Sequence, residues 1–274
     1  MEDKEYESII PTAILTAYPR TLTDIPYAKE MFDELKKKAI SVDLMLDKLA
    51  PEIEARYKLI DKLLKGTSIT QILELASGYS TRGLDFTLNK NATYVELELK
   101  EVVDKKKRFI NKIMQTPNDL HIIQGNALNY NDFTKCITFF KKEQEVAVID
   151  EGLLRYLDFE EKRIVAENVY KLLSQYGGVW ITCDVTPKNF IINQDKNMPN
   201  LNKNITDISV RNNANWRFED EDHVKKFFTE IGFSVEFHYF HEIKNKLTSP
   251  QKLNLPSSEV DKLIDMGIVV VMRI

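Results

Sequence analysis

The sequence predicts a doubly wound, mostly parallel α/β sheet of about seven strands with an N-terminal helical cap. Three observations lead there. Short apolar runs (ITQILEL, ATYVELEL, EVAVID, GGVWITCDV) recur with helix-like segments between them, the rhythm of right-handed βαβ crossovers. The first run ends in a small-residue turn, Ala76-Ser77-Gly78, and then a helix start, as in the front half of a nucleotide-binding unit. The second run ends in acid at Glu98, where such a unit meets a ribose.

At 274 residues the chain is long enough for one large α/β domain rather than two independent ones. A hydrophobic content of 43% and a charged content of 29% are ordinary for a globular protein. The net charge of −4 gives no footprint for a nucleic-acid partner. Cys136 and Cys183 make no disulfide framework, and the four histidines form no spaced ligand cluster, so no metal site is expected. The start, MEDKEYESII, lacks a hydrophobic signal core, and no apolar run reaches membrane-spanning length. These features predict a cytoplasmic location and no membrane partner.

Residues 1–66 read as a helical cap within the same domain. TDIPYAKEMFDELKKKAISVDLMLDKL sets apolar residues at helical spacing, and Pro51 begins a second helix, PEIEARYKLIDKLL, ended by Gly66. Residues 67–274 read as the core. ITQILEL is the first strand and STRGLDFTL its helix, with Ser80 or Thr81 near the cap. ATYVELEL and the charged helix LKEVVDKKKRFINKIM follow, the latter read as a solvated face. DLHIIQG, NDFTKCITFFKK, EVAVID, FEEKRIVAENVYKLLSQ and GGVWITCDV continue the alternation. EDEDHVKKFFTEIGF, SVEFHYF and GIVVVMRI close the chain, with the last strand a candidate for antiparallel pairing. The Asn-rich stretch at about 185–216 leaves the C-terminal end of the fifth strand. It reads either as a lid insertion over a ligand or as a surface loop.

A dinucleotide site would want G-x-G-x-x-G after the first strand, and the run from Ala76 to Thr81 has only Gly78. A phosphate-cradling loop ending in Gly-Lys-Ser/Thr is also absent. A cofactor with adenine and ribose but no phosphate asks less: a small-residue turn, an acid for the ribose and an apolar slot for the base. Glu74 to Gly78, then Glu98, then Gly125-Asn126-Ala127-Leu128 after the third strand offer these. That layout is similar to the class I S-adenosylmethionine-dependent methyltransferases.

Several stretches carry a closer likeness. Thr12-Ala13, Ala17, Arg20, Asp24 and Pro26-Tyr27-Ala28 resemble the opening TA…A…R…DPYA of the leucine carboxyl methyltransferase family, which has bacterial members similar to polyketide O-methyltransferases. PEIEARYKLIDKLL resembles its second helix, with Arg56 at the arginine position. LASGYSTR resembles its LGAGxDTR turn, YVELEL its YxEVDL strand, and Glu151-Gly152-Leu153-Leu154-Arg155-Tyr156-Leu157 its EGLLMYL segment. The likeness covers roughly residues 10 to 185 and implies S-adenosyl-L-methionine as cofactor. Arg20 and Arg56 would hold the methionine carboxylate, and Glu98 the ribose hydroxyls. Asn126, Ala127 and Leu128 would contact the adenine, and Glu151 would lie near the ammonium and sulfonium. Glu74, Ala76, Ser77, Gly78 and Arg82 complete the implied cofactor set. Two positions depart from the pattern: Ala76 stands for its first Gly, and Ser80 for the Asp before Thr-Arg.

The implied reaction is methyl transfer to a carboxylate or hydroxyl of a small molecule or peptide C-terminus. A carboxylate needs no general base, since it is ionised at neutral pH, and the sequence offers no convincing His at a strand end. Tyr156, Arg155 and Arg211 are the candidates to border the acceptor and hold an anionic one. Other readings stay open. Arg20 and Arg56 could be surface ion-pair partners on amphipathic helices, and Arg82 could pair with Asp85 or buried carbonyls. The chain could also bind the cofactor without transfer, or be an NAD(P)-dependent oxidoreductase, against which the missing glycines count.

Overall fold

In the computed structural model, residues 10–36, 44–115, 117–189, 192, 196, 213–265 and 267–274 are described. Seven strands build one sheet: β1 (Gln71–Leu75), β2 (Thr93–Glu98), β3 (Leu120–Gln124), β4 (Val146–Asp150), β5 (Gly178–Thr182), β6 (Ser234–Tyr239) and β7 (Ile268–Arg273). Their order is β3-β2-β1-β4-β5-β7-β6. The first five are parallel, and β7 runs antiparallel between β5 and β6. The chain steps outward from β1 to β3 and returns to β4 on the other side of β1. That reversal opens a crevice at the C-terminal ends of β1 and β4, where open α/β sheets bind ligands.

β1 and β4 are buried along their whole length, as QILEL and VAVID suggest for central parallel strands covered on both faces. Alternate residues feed two cores. On one face Ile72, Tyr94, Ile122, Ile149 and Val271 pack with Met31, Phe32, Leu59 and Ile60, residues from the N-terminal helices. The opposite face sets Leu73, Val95, Val148, Trp180 and Val270 against Val165, Val169, Phe227 and Phe228.

The N-terminal helices are α1 (Ile10–Arg20), α2 (Ala28–Lys36) and α3 (Ala50–Thr67). Pro51 lies in the first turn of α3, as expected, but Gly66 does not end it. Ser68 takes the left-handed C-cap at φ 60°, and the helix runs through Gly66. After β1 comes α4 (Arg82–Lys90), whose N-cap Thr81 donates its hydroxyl to the Pro26 carbonyl at 2.6 Å instead of capping. α5 (Lys100–Ile113) buries Val102, Val103, Phe109 and Ile110 as one stripe, and Lys106 sits inside that stripe rather than on the solvated face predicted for it. α6 (Tyr130–Cys136) follows β3. α7 (Phe159–Tyr176) opens with a capping box in which Asp158 and Glu161 exchange backbone hydrogen bonds of 2.8 Å each, an arrangement that stabilises a helix start by about 1 kcal/mol.

α8 (Glu221–Ile231) leads into β6. Between β6 and β7 lie α9 (Ser249–Lys252) and α10 (Ser257–Ile264), neither of which the sequence reading anticipated. Glu54 of α3 pins this connection. Its fully buried carboxylate accepts from the backbone and hydroxyl of Thr248 (2.8 Å each) and of Ser249 (2.8 and 2.6 Å). Most of the stretch proposed as a lid, and Arg211 with it, lies outside the described residues.

Candidate functional site

A cavity of about 1000 Å³, counted to its open mouth, fills the crevice. One wall is the turn after β1. Ala76 and Gly78 both have positive φ, 51° and 53°, a region that costs a side-chain-bearing residue about 1–2 kcal/mol. Gly78 takes that conformation freely, whereas Ala76 is held there, with its N–H donating to the Leu97 carbonyl at 2.9 Å.

Glu98, at the end of β2, turns its buried carboxylate toward this turn. Oε2 accepts from Gly78 N at 2.7 Å and Oε1 from Leu99 N at 2.8 Å. Burial raises its pKa, and these two N–H groups oppose the rise. A carboxylate has about four acceptor sites, so two remain for hydroxyls presented from the cavity. Asn126, Ala127 and Leu128 line the same cavity after β3, with Leu128 N bonded to Asn126 Oδ1 at 3.0 Å. Leu97, Leu99, Val102 and Leu153 add apolar surface, and Thr12, Ala13 and Thr16 of α1 complete this part of the lining. The three α1 residues were not named as site residues in the sequence reading. Their only signal was the Thr12-Ala13 pair within the N-terminal likeness.

At the end of β4, Glu151 gathers three guanidiniums. Oε1 accepts from Arg20 Nη2 at 2.7 Å and from Arg56 Nε at 3.0 Å, and Oε2 from Arg82 Nη2 at 2.9 Å. Burial alone would push the Glu151 carboxyl up, but Arg20, Arg56 and Arg82 outweigh it and hold it far below the usual carboxylate range. Arg20, Arg56 and Glu151 line the cavity, and Arg20 Nε is buried without a hydrogen-bond partner. Arg56 also lies 3.7 Å from Glu52, so the donor this corner leaves for a further anion is the partnerless Arg20 Nε.

Glu74 and Arg82, expected among the cofactor contacts, instead stand behind the cavity and do not line it. Both are 0% exposed. Arg82 pairs with Glu74 at 2.6 Å and Asp61 at 2.8 Å and lies over the Tyr57 ring at 4.0 Å, and Tyr94 OH donates to Glu74 at 2.8 Å. Arg82 therefore buttresses Glu151 from the rear, with Asp61 rather than Asp85 as its partner. The reading of Arg20 and Arg56 as surface ion-pair partners does not hold either, since both are buried.

A second cavity of about 510 Å³ adjoins the first and shares Arg56 and Arg155 with it. Cys183, Asp184, Trp216, Arg217 and Phe218 complete much of its wall. Arg155 Nε is buried without a hydrogen-bond partner. Tyr156 lines the first cavity, next to the Arg155 guanidinium, which lies 5.5 Å from its ring. Asp184, which the sequence reading did not single out and which lies two residues past β5, fixes the segment after Glu151. Its carboxylate accepts from Gly152 N at 2.9 and 2.8 Å, Leu153 N at 2.5 Å and Leu154 N at 3.0 Å. Asp150 faces away, bonded to Trp180 Nε1 and Thr182 Oγ1 at 2.7 Å each, and burial drives its pKa well up.

Neither cavity is lined by a histidine. Among the described residues, no group of three or more His, Cys, Asp or Glu side chains could hold a metal ion, and no helix is long and apolar enough to cross a membrane.

The family model for leucine carboxyl methyltransferases matches residues 12–170. Among solved structures, a protein of Thermobifida fusca YX assigned to the methyltransferases superposes with a TM-score of 0.55 at 12% identity, covering 94% of this chain and 93% of that one. The methyltransferase domain of a bacterial Hen1 protein superposes with a TM-score of 0.54 at 11% identity, covering 81% and 98%. At such identities the likeness establishes the class I methyltransferase fold. No protein of curated function matches the sequence.

Proposed function

Since the chain belongs to the leucine carboxyl methyltransferase family and is an S-adenosylmethionine-dependent methyltransferase, we propose that its acceptor is a carboxylate, on a small molecule or a peptide C-terminus. The observation that carries this is Arg155, a wall residue of both cavities whose buried Nε has no partner. A guanidinium there suits an anionic acceptor at the junction of the two cavities.

The residues of the first cavity fit the cofactor. Arg20 and Arg56 would take the methionine carboxylate, with the orphaned Arg20 Nε a ready donor. Glu151, with three of its roughly four acceptor sites filled by arginines, keeps one for the ammonium. Glu98 has two sites for the ribose hydroxyls, and Ala127 and Leu128 border the adenine slot. Bound there, S-adenosylmethionine supplies a methyl group on positively charged sulfur, an activated leaving group.

An ionised carboxylate would itself be the nucleophile toward that methyl group, so no residue of the walls would have to take a proton. Arg155, with Tyr156 beside it, would orient that carboxylate, and the remaining task of the walls is alignment and exclusion of water.

The test is transfer of a labelled methyl group from the cofactor to carboxylic-acid candidates. An ester product releases its label as methanol in mild base. Arg155→Ala should raise the acceptor KM by about 10- to 100-fold, the loss expected for a charged hydrogen bond, with little change in S-adenosylhomocysteine affinity. A base-stable label on an ether or amine would refute the carboxylate assignment, and an unchanged KM would refute the role of Arg155.

A further inference from the structure

α5 carries one lysine in its buried stripe. Lys106 is 1% exposed while Lys107 and Lys112 face solvent, and a leucine or methionine would fill that place without desolvating a charge. Its Nζ lies 2.6 Å from Glu96 Oε2 and donates to Ser77 Oγ at 3.0 Å, and Ser77 Oγ in turn donates to Glu96 Oε2 at 3.0 Å. Ser77 and Gly78 are wall residues of the large cavity, so this closed triangle ends on the turn that faces the ligand.

The surroundings explain why a cation is needed. Glu74 and Glu96 are register partners on β1 and β2, and Glu98 follows two residues along the same face. Arg82, from α4, neutralises Glu74. Lys106, from α5, does the same for Glu96. The other oxygen, Oε1, is crowded against α4, where a Cβ added at Gly83 would come within 2.7 Å of it. Glu96 therefore has little room to swing away from Lys106.

We propose that Lys106 is a positioning residue for methyl transfer: held by Glu96, its ammonium fixes Ser77, and with it the Gly78 N–H and the Glu98 carboxylate that face the cofactor. The inference rests on the large cavity being the cofactor site.

The triangle also has a titration of its own. Burial, countered chiefly by Lys106, raises the pKa of Glu96 to about 7. The charged and titratable groups facing it are Lys106, Glu74, Glu98, Tyr94 and, through Glu74, Arg82. Protonating Glu96 removes the anion that holds both Lys106 and the Ser77 hydroxyl. Cofactor affinity should then weaken as the pH falls through about 7.

The experiment is calorimetric titration of the full chain with S-adenosylhomocysteine from about pH 6 to about pH 8.5. Lys106→Met alone leaves Glu96 buried and unpaired, so the informative variant is Lys106→Met with Glu96→Gln, which removes both charges together. It should fold with a near-native Tm, bind about tenfold or more weakly at pH 8 and lose the pH response, while Lys106→Arg keeps part of the affinity. A double variant binding within about twofold of wild type, or keeping the wild-type pH response, would overturn the role of Lys106. Arg56→Ala separates the two possible failures. Full affinity in that variant would overturn the cavity reading and this inference with it. Lost affinity there, beside a wild-type-like double variant, would overturn this inference alone.

Discussion

Replacing Glu151 by glutamine tests the charge cluster at the end of β4. The side chain keeps its size, but one carboxylate oxygen becomes an NH2 group. Oε1 serves Arg20 and Arg56 and Oε2 serves Arg82, so in either amide orientation at least one guanidinium meets a donor where it had an acceptor. All four side chains are at most 8% exposed, so solvent offers little relief. Removing one member of a buried pair costs about 3–5 kcal/mol, and for a chain of this size each kcal/mol lowers Tm by about 2–4 °C. The expected drop is therefore about 6–20 °C, read by circular dichroism or calorimetry at neutral pH. The sign of its pH dependence follows from the depressed carboxyl. The stabilisation is present above the ordinary glutamate value of 4.5 and is lost as the pH falls toward the folded-state value. The gap between wild type and variant should accordingly hold down to about pH 4.5 and shrink below it. A drop of less than about 2 °C at neutral pH would mean that the three arginines do not depend on Glu151.

Two further outcomes follow from buried strain and buried charge. Ala76→Gly relieves a left-handed backbone at φ 51° and should raise stability by up to about 1 kcal/mol, or Tm by about 2–4 °C; an unchanged or lower Tm would count against strain at this turn. Lys162 of α7 is buried, donates to the Leu157 carbonyl and to Trp216 O at 2.7 Å, and burial lowers its pKa from 10.5 to about 7. Because the unfolded chain holds the proton longer, this group makes stability rise from pH 7 toward pH 10.5. Urea midpoints measured across that window should climb less steeply in Lys162→Met, and parallel curves would show that the ammonium is not buried at a cost.

What the sequence revealed and what it hid divide along physical lines. β1 and β4 were legible because a strand covered on both faces must be apolar throughout. The turn at Ala76 to Gly78 and the acid at Glu98 were legible as neighbours because a small-residue turn after β1 and an acid ending β2 meet at the edge of one cavity. Glu74 and Arg82 were misjudged because their partners come from elsewhere in the chain: Arg82 reaches Asp61 and Glu151, which are 21 and 69 residues away. No local pattern announces such pairs. Lys106 was hidden for the opposite reason, since it stands in a run of lysines whose other members are what a solvated face requires. The second cavity draws on residues near 56, 155, 184 and 217, so it exists only once the sheet has formed. The four-residue helix α9 escaped because it holds its place through the contacts of Glu54 with Thr248 and Ser249 rather than through periodicity.

The Asp184 carboxylate gives the loop after β4 a thermodynamic character as well as a shape. It accepts from three successive backbone N–H groups, beginning at Gly152 with its φ of 96°. Glycine forfeits more conformational freedom on folding than any other residue, and ordering a backbone costs roughly 1–2 kcal/mol per residue. For Gly152 to Leu154 that cost is met when β5 docks beside β4, before any ligand arrives. The cofactor proposed for the large cavity would therefore meet a wall already arranged, and more of its contact energy would survive as affinity.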